Sequence, residues 1–277
     1  MNQSKPATPL LPLLPLGADE IHLWLAFDRE ITDSALTTAY RQLLTPEERQ
    51  QEQRFYFAKD QHQYLVTRAL TRTVLSRYAQ VAPEDWRFNK LEHGRPEIAN
   101  DDPLTRSLVF NISHTAGLIV LAVTRDQDLG VDTENILERE APLDIANRYF
   151  SPRETADLYA LPREVQLERF FHYWSLKESY IKARSKGLSI PLDQFNFTYA
   201  DAHSIAVAFH EKLQDVPERW RFWLLKPTLA HLLAICVGRG TGDWPSQKIM
   251  LRKTIPLSGD EALTYTVLRE SAGMTTQ

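Results

Sequence analysis

The chain of 277 residues has little cysteine, no excess of positive charge and no long apolar run. Its one cysteine, Cys236, cannot form a disulfide within the chain, and a CxxC metal or redox motif is excluded. The net charge of −4 excludes a general basic field, so we expect no nucleic-acid partner. No run of about 18 apolar residues occurs, so we expect no membrane-spanning segment. With 43% hydrophobic and 25% charged residues, the remaining class is an ordinary globular protein of one or two domains.

The first residues include an apolar stretch, LLPLLPL at 10–16, that is interrupted by Pro12 and Pro15. A signal peptide has a basic start, a helical apolar stretch and a cleavage site with small residues. Here Lys5 is the one basic residue before the prolines, so we expect residues 1–19 to form an extended surface arm. A targeting segment is the alternative. The predicted compartment is the cytoplasm.

Two segments carry the same signal for a helix start, a capping box with proline at the first helical position. They are TPEE at 45–48 and SPRE at 151–154. A second helical stretch follows each of them, at 60–79 and at 165–184. Strand-like segments lie before and after these helices, at 21–27, 86–89, 108–112 and 118–124 in the first half and at 129–134, 195–199, 221–225 and 232–237 in the second.

The order of strand, helices and strands therefore occurs twice, which predicts an α+β (α/β) fold made of two similar halves. Coincidence is the alternative, because capping boxes are common. We expect an N-terminal lobe at 20–125 and a C-terminal lobe at 126–240. The stretch at 241–277 has little clear pattern and is expected to be a C-terminal extension.

The segment ERFFHYWSLKESYIKA at 168–183 places a carboxylate on the apolar face of a helix. At about 100° per residue, Glu178 lies within the stripe formed by Phe170, Trp174 and Ile181. A buried carboxylate is costly without a compensating partner. Lys182, one turn further on, would give a structural ion pair, whereas a metal ion with more oxygen ligands would give a functional site.

Such ligands are present in GVDTE at 130–134, where Asp132 and Glu134 point to the same face of a strand. We expect this strand to form a hairpin with the strand at 118–124. Together with Glu178, the two carboxylates make three oxygen ligands, which favour Mg²⁺ or Mn²⁺ over zinc. The D-x-E pattern is weak by itself, because most such pairs are solvated strand residues.

A third segment, FNISHT at 110–115, ends one strand and precedes the next. Ser113 and His114 are adjacent and point to opposite faces of a strand, and no GxSxG motif occurs, which disfavours a serine hydrolase. Two interpretations remain open. Ser113 and His114 would contact a phosphate group, or the segment would be a polar cluster that stabilises the turn.

Together, FNISHT, GVDTE and WSLKESYIKA (174–183) resemble the motifs of the 4′-phosphopantetheinyl transferases, specifically the larger, two-lobed, surfactin-synthetase-activating type. The resemblance covers residues 20–240 and includes four further segments, RFYFAKD (54–60), HGRPEI (93–98), RYFSPRE (148–154) and KGLSIPLDQF (186–195). It implies two pseudo-twofold-related lobes with the active site between them.

The resemblance also implies an activity, that of a holo-[acyl-carrier-protein] synthase. In this reaction 4′-phosphopantetheine moves from coenzyme A (CoA) to a serine of an apo acyl or peptidyl carrier protein, and adenosine 3′,5′-bisphosphate is released. Asp132, Glu134 and Glu178 would hold Mg²⁺, with Mn²⁺ as a substitute. Glu178 would take the proton of the carrier serine, and Lys182 would contact the pyrophosphate of CoA.

The remaining CoA contacts that the resemblance implies come from Ser113 and His114 at the phosphates and from Arg95, with Lys90 from the same loop, at the adenine end. Lys177 is offset from Glu178 by about 100°, and a place at the rim of the site is expected for it.

One departure concerns the 3′-phosphate of CoA. Relatives often carry basic residues in the first capped helix, whereas the aligned positions here are Glu48 and Gln51. Arg54, one turn beyond Gln51, is a candidate substitute, and a surface arginine is the alternative.

The implied carrier is acidic, so we expect a local basic patch from Arg148, Arg153 and Arg163, with a solvated helix face as the alternative. The sequence leaves open whether the carrier belongs to a fatty-acid, polyketide, nonribosomal-peptide or lysine-related pathway. A monomer is expected, because one chain supplies both lobes. The alternative function is a catalytically inactive module that binds carriers on the same fold. A different Mg²⁺-dependent phosphotransferase or phosphodiesterase would need a P-loop or a second metal cluster, and the sequence shows neither.

Overall fold

The computed structural model describes residues 12–138, 143–240 and 246–271. The first lobe contains β1 (Glu20–Ala26), α1 (Ser34–Leu43), α2 (Pro46–Gln53), α3 (Ala58–Leu75), β2 (Phe88–Lys90), β3 (Pro96–Ile98), α4 (Pro103–Arg106), β4 (Leu108–Thr115) and β5 (Leu118–Arg125). The second lobe contains β6 (Asp128–Asn135), α5 (Ala146–Tyr149), α6 (Pro152–Ala160), α7 (Arg163–Arg184), β7 (Phe195–Thr198), β8 (Ser204–Phe209), β9 (Trp220–Lys226) and β10 (His231–Gly238). The predicted order of strand, helices and strands is confirmed in both halves.

Both predicted capping boxes are present and begin α2 and α6. The Thr45 hydroxyl accepts a hydrogen bond from the Glu48 N–H at 3.2 Å, and the Thr45 N–H donates to the Glu48 carboxylate at 3.0 Å. Ser151 and Glu154 make the same reciprocal pair, at 3.2 and 2.9 Å. In each helix a proline occupies the first position, where its missing N–H costs no hydrogen bond.

The two lobes share a strand connectivity. In the first lobe the strands lie in the order β1, β5, β4, and in the second lobe in the order β6, β10, β9, with antiparallel pairing throughout. In each case the first strand of the lobe pairs with the last, which pairs with the strand before it. The expected hairpin between β5 and β6 is therefore wrong. Strand β6 begins the second sheet, and its hydrogen-bonded partner is β10, about 100 residues further along the chain.

The two sheets pack face to face, and helices cover their outer faces. Strand residues alternate between these layers, as the period of two requires. In β5, Val120 and Ala122 face the second sheet, whereas Ile119 and Leu121 pack among the helices of the first lobe. Each central strand is thus buried on both faces. No helix within the described ranges is both long and apolar enough to cross a membrane.

The stretch expected as an extension adds strands to both sheets. β11 (Lys248–Ile255) pairs in parallel with β1, and β12 (Gly259–Ala262) lies outside it. β13 (Thr266–Ser271) lies between β9 and β8 in the other sheet. The chain therefore returns to each lobe in turn, and the domain boundaries drawn from the sequence stay a prediction. The arm expected at 1–19 falls partly outside the described residues.

Candidate active site

Helix α7 lies directly on strand β6 because the strand has a glycine at the point of contact. A Cβ atom built on Gly130 would lie 1.9 Å from the carbonyl oxygen of Ser179 and 2.4 Å from the amide nitrogen of Ala183. No other residue type fits this approach of backbone to backbone. The even-numbered residues of β6 share one face, so Asp132 and Glu134 face the same helix as Gly130.

This approach brings Lys182 of α7 onto Asp132 of β6. The Lys182 ammonium lies 2.8 Å from Asp132 Oδ1 and donates to the Ser113 hydroxyl at 3.0 Å. The Ser113 hydroxyl in turn donates to Asp132 Oδ1 at 3.1 Å. The side chain of Asp132 is 9% exposed, so the ion pair is shielded from water on most sides.

These residues line a cleft of 790 Å³ between the two lobes. The second lobe contributes Asp132, Thr133, Glu134, Trp174, Glu178 and Lys182. The first lobe contributes two groups of residues, one from β4 and the turn after it, Ile112, Ser113, His114, Thr115, Ala116 and Gly117, and one from the other wall, Asp28, Arg29, Lys59, Asp60, His62 and Gln63. The structure thus brings together six residues that the sequence singled out: Asp132, Glu134, Glu178, Lys182, Ser113 and His114.

The carboxylates provide oxygen donors of the kind that Mg²⁺ prefers. Asp132 Oδ2 is buried and has no hydrogen-bond partner, which is costly for a carboxylate oxygen unless a ligand satisfies it. The donor chemistry therefore fits a divalent cation. However, among the described residues no group of three or more His, Cys, Asp and Glu side chains is arranged to hold a metal by itself. A bound ion would need additional oxygen ligands, such as those of a phosphate substrate.

His114 faces the cleft from the end of β4. Loss of hydration lowers the pKa of this imidazole, and the positive charge of Lys182 lowers it further. His114 is therefore neutral at pH 7 and offers one N–H donor to a ligand. A bound phosphate would act in the opposite direction and raise its pKa.

Comparison with known proteins assigns the family. Residues 128–236 match the model of the 4′-phosphopantetheinyl transferase superfamily, and residues 31–126 match that of the 4′-phosphopantetheinyl transferase N-terminal region. The 4′-phosphopantetheinyl transferase ffp of Bacillus subtilis is 33% identical over 208 residues, which cover 75% of this chain and 87% of that protein. The chain belongs to the 4′-phosphopantetheinyl transferases.

Two further relatives agree. The transferase is 39% identical to the 4′-phosphopantetheinyl transferase Sfp of Bacillus subtilis over 57% of this chain and 67% of that protein. It is 33% identical to the 4′-phosphopantetheinyl transferase HetI of Nostoc sp. over 65% of this chain and 75% of that protein. The predicted family, the surfactin-synthetase-activating type, is confirmed, and so is the prediction of a transferase enzyme.

Three predicted CoA contacts of the transferase lie outside the cleft. Arg95 turns towards the end of α7, where its guanidinium donates to the carbonyl of Lys182 at 2.9 Å and to the hydroxyl of Ser185 at 2.6 Å. It thus satisfies a carbonyl at a helix C-terminus, as a basic residue there is expected to do. Lys90 and Arg54 are exposed and do not line the cleft. Their contacts with CoA stay predictions.

The departure at Glu48 has a structural explanation. Its carboxylate closes the capping box of α2 and also accepts from Arg68 Nε at 2.8 Å and Arg72 Nη2 at 2.8 Å. The acidic residue pairs with two arginines of α3 inside the first lobe. Gln51 is exposed.

The expectation that Lys177 lies at the rim is wrong. Its side chain is fully buried, and its ammonium pairs with the equally buried Glu154 at 2.8 Å. It also donates to the carbonyls of Leu192 at 2.7 Å and Phe195 at 2.6 Å. The angular offset from Glu178 correctly separates Lys177 from the cleft, but the side of the helix that it occupies is covered by α6 and the segment before β7.

The wall that the first lobe contributes to the cleft was not predicted from the sequence. Lys59, Asp60 and Gln63 lie on one face of α3, since residues three and four apart are neighbours on a helix. The segment RFYFAKD (54–60), which is part of the family resemblance, contains Lys59 and Asp60. Their place in the cleft could not be inferred from that segment alone. Asp28 and Arg29, which follow β1, carry no comparable pattern.

Proposed function

We propose that this transferase moves 4′-phosphopantetheine from CoA to a serine hydroxyl of an apo acyl or peptidyl carrier protein, with release of adenosine 3′,5′-bisphosphate. The observation that carries the proposal is that Asp132, Glu134, Glu178 and Lys182 meet in one cleft between the lobes. A reaction at a pyrophosphate needs oxygen ligands for a divalent cation and a fixed positive charge near the leaving phosphate. These four side chains supply both.

Mg²⁺, with Mn²⁺ as a substitute, would be held by Asp132, Glu134 and Glu178. The buried, unpartnered Asp132 Oδ2 supports this assignment. When bound, the ion would neutralise negative charge on the pyrophosphate. Because the described side chains alone make no ready metal site, we expect tight metal binding only when CoA is also present.

The protein's own groups have distinct tasks. Glu178 takes the proton of the carrier serine as the serine oxygen attacks the phosphorus of the phosphopantetheine phosphate. The P–O bond to the adenosine 3′,5′-bisphosphate breaks, and that product leaves with the bonding electron pair. Lys182, which already lies within the cleft beside Asp132, donates a hydrogen bond to the departing phosphate. His114, which faces the cleft, donates a ring N–H to a phosphate oxygen of CoA.

The carrier would approach from the second lobe. Arg148, Arg153 and Arg163 lie before, within and after α6 and are all exposed, which supports a basic surface for an acidic partner. The alternative, an inactive module that binds carriers, is disfavoured because Asp132, Glu178 and Lys182 all face the cleft. Neither consideration chooses among fatty-acid, polyketide and nonribosomal-peptide carriers.

Intact mass spectrometry of an apo carrier, incubated with the transferase, CoA and Mg²⁺, tests the proposal. We expect the carrier to gain the mass of one phosphopantetheine and to gain nothing in the presence of EDTA. Glu178→Gln should abolish the gain. Glu164→Gln is the matched control, because Glu164 is exposed on the same helix and does not line the cleft.

Acyl, peptidyl and aryl carriers should be tested in parallel. If none gains mass while CoA still protects the transferase against thermal unfolding, the inactive carrier-binding alternative gains support. If CoA does not bind either, the proposed donor is wrong. Full activity of Glu178→Gln would remove Glu178 from the role of base.

A further inference from the structure

Strands β4 and β6 are neighbouring edge strands of two different sheets. An edge strand leaves alternate backbone N–H groups without a partner, and these must find one when they are buried. Here side-chain oxygens of β4 accept from the N–H groups of β6. The contacts join Asn111 Oδ1 to the N–H of Val131 at 2.9 Å, Ser113 Oγ to that of Thr133 at 3.2 Å and Thr115 Oγ1 to that of Asn135 at 3.1 Å.

We call these three β4 side chains the side-chain ladder. They occupy alternate positions, so one face of β4 presents an oxygen to every second residue of β6. The other face of β4 carries Phe110 and Ile112 into the core of the first lobe. The two strands therefore keep a constant register across the lobe boundary without backbone pairing.

Ser113, the central side chain of the ladder, also bonds to charged residues of the cleft. The Ser113 hydroxyl donates to Asp132 Oδ1 at 3.1 Å and accepts from the Lys182 ammonium at 3.0 Å, in addition to the Thr133 N–H. A hydroxyl has one donor and two acceptor lone pairs, and all three are used here. The hydroxyl of Ser113 thus joins three groups of the protein, the Asp132 carboxylate, the Thr133 N–H and the Lys182 ammonium.

Asn111 provides a natural contrast within the ladder. It is buried like Ser113 and satisfies one N–H of β6 in the same way. Within the described part of the chain, it makes no hydrogen bond to Asp132 or Lys182. Both residues therefore accept a hydrogen bond from an N–H group of β6. Of the two, Ser113 also bonds to the charged pair of Asp132 and Lys182.

We propose that Ser113 is a positioning residue, which fixes Asp132 and Lys182 relative to each other and to β6. This proposal rests on the proposed function, because it concerns the same cleft. Strand β4 of the first lobe would then set the geometry of the carboxylate and the lysine of the second lobe. Small displacements of reacting groups are known to cost up to about 100-fold in rate.

Three variants test the proposal. Ser113→Ala removes the hydroxyl, Ser113→Thr retains one, and Asn111→Ala removes a neighbouring ladder contact only. We expect Ser113→Ala to lower kcat by about 10- to 100-fold, with the KM for CoA changed less than about threefold. Ser113→Thr should recover part of kcat. Asn111→Ala should lower the melting temperature by as much as Ser113→Ala but lower kcat much less.

Hydrogen exchange of peptides spanning residues 128–135 gives a readout that does not need activity. Both alanine variants should speed exchange in β6, because each exposes one of its N–H groups. If the wild type transfers nothing but exchange behaves as expected, the proposed function fails while the ladder stands.

Three outcomes would overturn the inference. Equal losses of kcat in Ser113→Ala and Asn111→Ala would make Ser113 a structural residue only. A rise in KM for CoA with an unchanged kcat would indicate direct contact with a phosphate. Unchanged exchange in Ser113→Ala would show that the ladder does not hold β6.

Discussion

Both lobes contain a capping box, but the burial of its glutamate differs between them. In each lobe the glutamate of a capping box pairs with a basic residue of the long helix that follows. Glu154 and Lys177 of the second lobe have side chains with 0% exposure. Glu48 of the first lobe is 12% exposed and shares its charge between Arg68 and Arg72. The motif is a structural element in both lobes, and its charged residues do not line the cleft.

The first strands of the two lobes explain why the carboxylates of Asp132 and Glu134 lie on the side of the cleft that the second lobe forms. Strand β1 places Trp24 against the helices of its lobe, where the indole N–H donates to the Tyr78 hydroxyl at 2.8 Å. Strand β6 places Gly130, Asp132 and Glu134 against α7. In the first lobe the Trp24 side chain fills the space between strand and helices. In the second lobe Gly130 lets the helix contact the strand directly, and Asp132 and Glu134 lie beside that contact. The related connectivity thus yields a packed core in one lobe and a site in the other.

The largest expected effect comes from Gly130→Ala. The new methyl group would lie within 2.4 Å of two backbone atoms of α7, so the helix must move away from β6. We expect a loss of at least about 3 kcal/mol in the free energy of unfolding, together with loss of transfer activity. Urea denaturation and the mass-spectrometric assay measure the two effects.

Gly259→Ala is the control for that variant. A Cβ atom at Gly259 meets nothing within 4 Å, so its stability should stay within about 0.5 kcal/mol of the wild type. If Gly130→Ala were as stable and active as Gly259→Ala, the close approach of helix and strand would not be what builds the site.

The second largest effect comes from the ion pair of Glu154 in the second lobe, compared with that of Glu48 in the first. Lys177→Met leaves the fully buried Glu154 without its cation, and we expect a loss of about 3–5 kcal/mol on denaturation. Arg68→Met leaves Glu48 paired with Arg72 in a partly exposed site, and we expect a loss of about 1 kcal/mol.

The double variant Glu154→Gln with Lys177→Met removes both charges. It should be more stable than Lys177→Met alone, because no uncompensated carboxylate remains. Equal losses from Lys177→Met and Arg68→Met would show that the difference in burial between the lobes has no energetic consequence.

The features that the sequence predicts well are the local ones. The capping boxes at Thr45 and Ser151 begin helices, and the period of the apolar residues places Glu178 on the face of α7 that reaches the cleft. The D-x-E pattern is correctly read as a strand whose two carboxylates share a face. Each of these follows from the spacing of neighbouring residues.

The features that depend on distant contacts are not predicted. Nothing near β6 indicates that it pairs with β10, and Lys177 looks like a rim residue until α6 covers it. Strands β11 and β13 combine exposed, half-buried and buried residues, and their partners β1 and β9 in the two sheets lie far away in the chain. The ladder had a signal, the alternation of Asn, Ser and Thr in FNISHT, but its partner strand was unknown.

A third prediction contrasts two buried histidines. His172 on α7 has no hydrogen-bond partner for either ring nitrogen, and Glu168 lies 3.9 Å from its Nε2, whereas His22 in β1 bonds to Tyr78 through Nδ1. Burial, and then the charge of Arg169, lowers the pKa of His172 from 6.5 to about 3. Its imidazole therefore stays neutral in the folded protein while the unfolded chain takes up a proton below pH 6.5.

Because the unfolded state binds more protons, stability falls as the pH falls from 6.5 towards 3. For His172 we expect a loss of about 2 kcal/mol between pH 7 and pH 5. His172→Gln should have a flatter dependence on pH over this range, measured by urea denaturation at each pH. A variant with the wild-type slope would mean that His172 is protonated, or accessible to water, in the folded protein.

The smallest effect concerns a second connection between the lobes. Arg29 and Glu138 form a two-bond ion pair across the cleft rim, at 2.6 and 2.8 Å, but their side chains are 59% and 47% exposed. Water and salt screen such a pair, so Arg29→Ala should leave the melting temperature unchanged at both low and high salt. Asn111→Ala, which removes a buried contact between the same lobes, should lower it. If Arg29→Ala instead caused the larger fall, the lobes would be held together by charge at the rim of the cleft, and the side-chain ladder would be secondary.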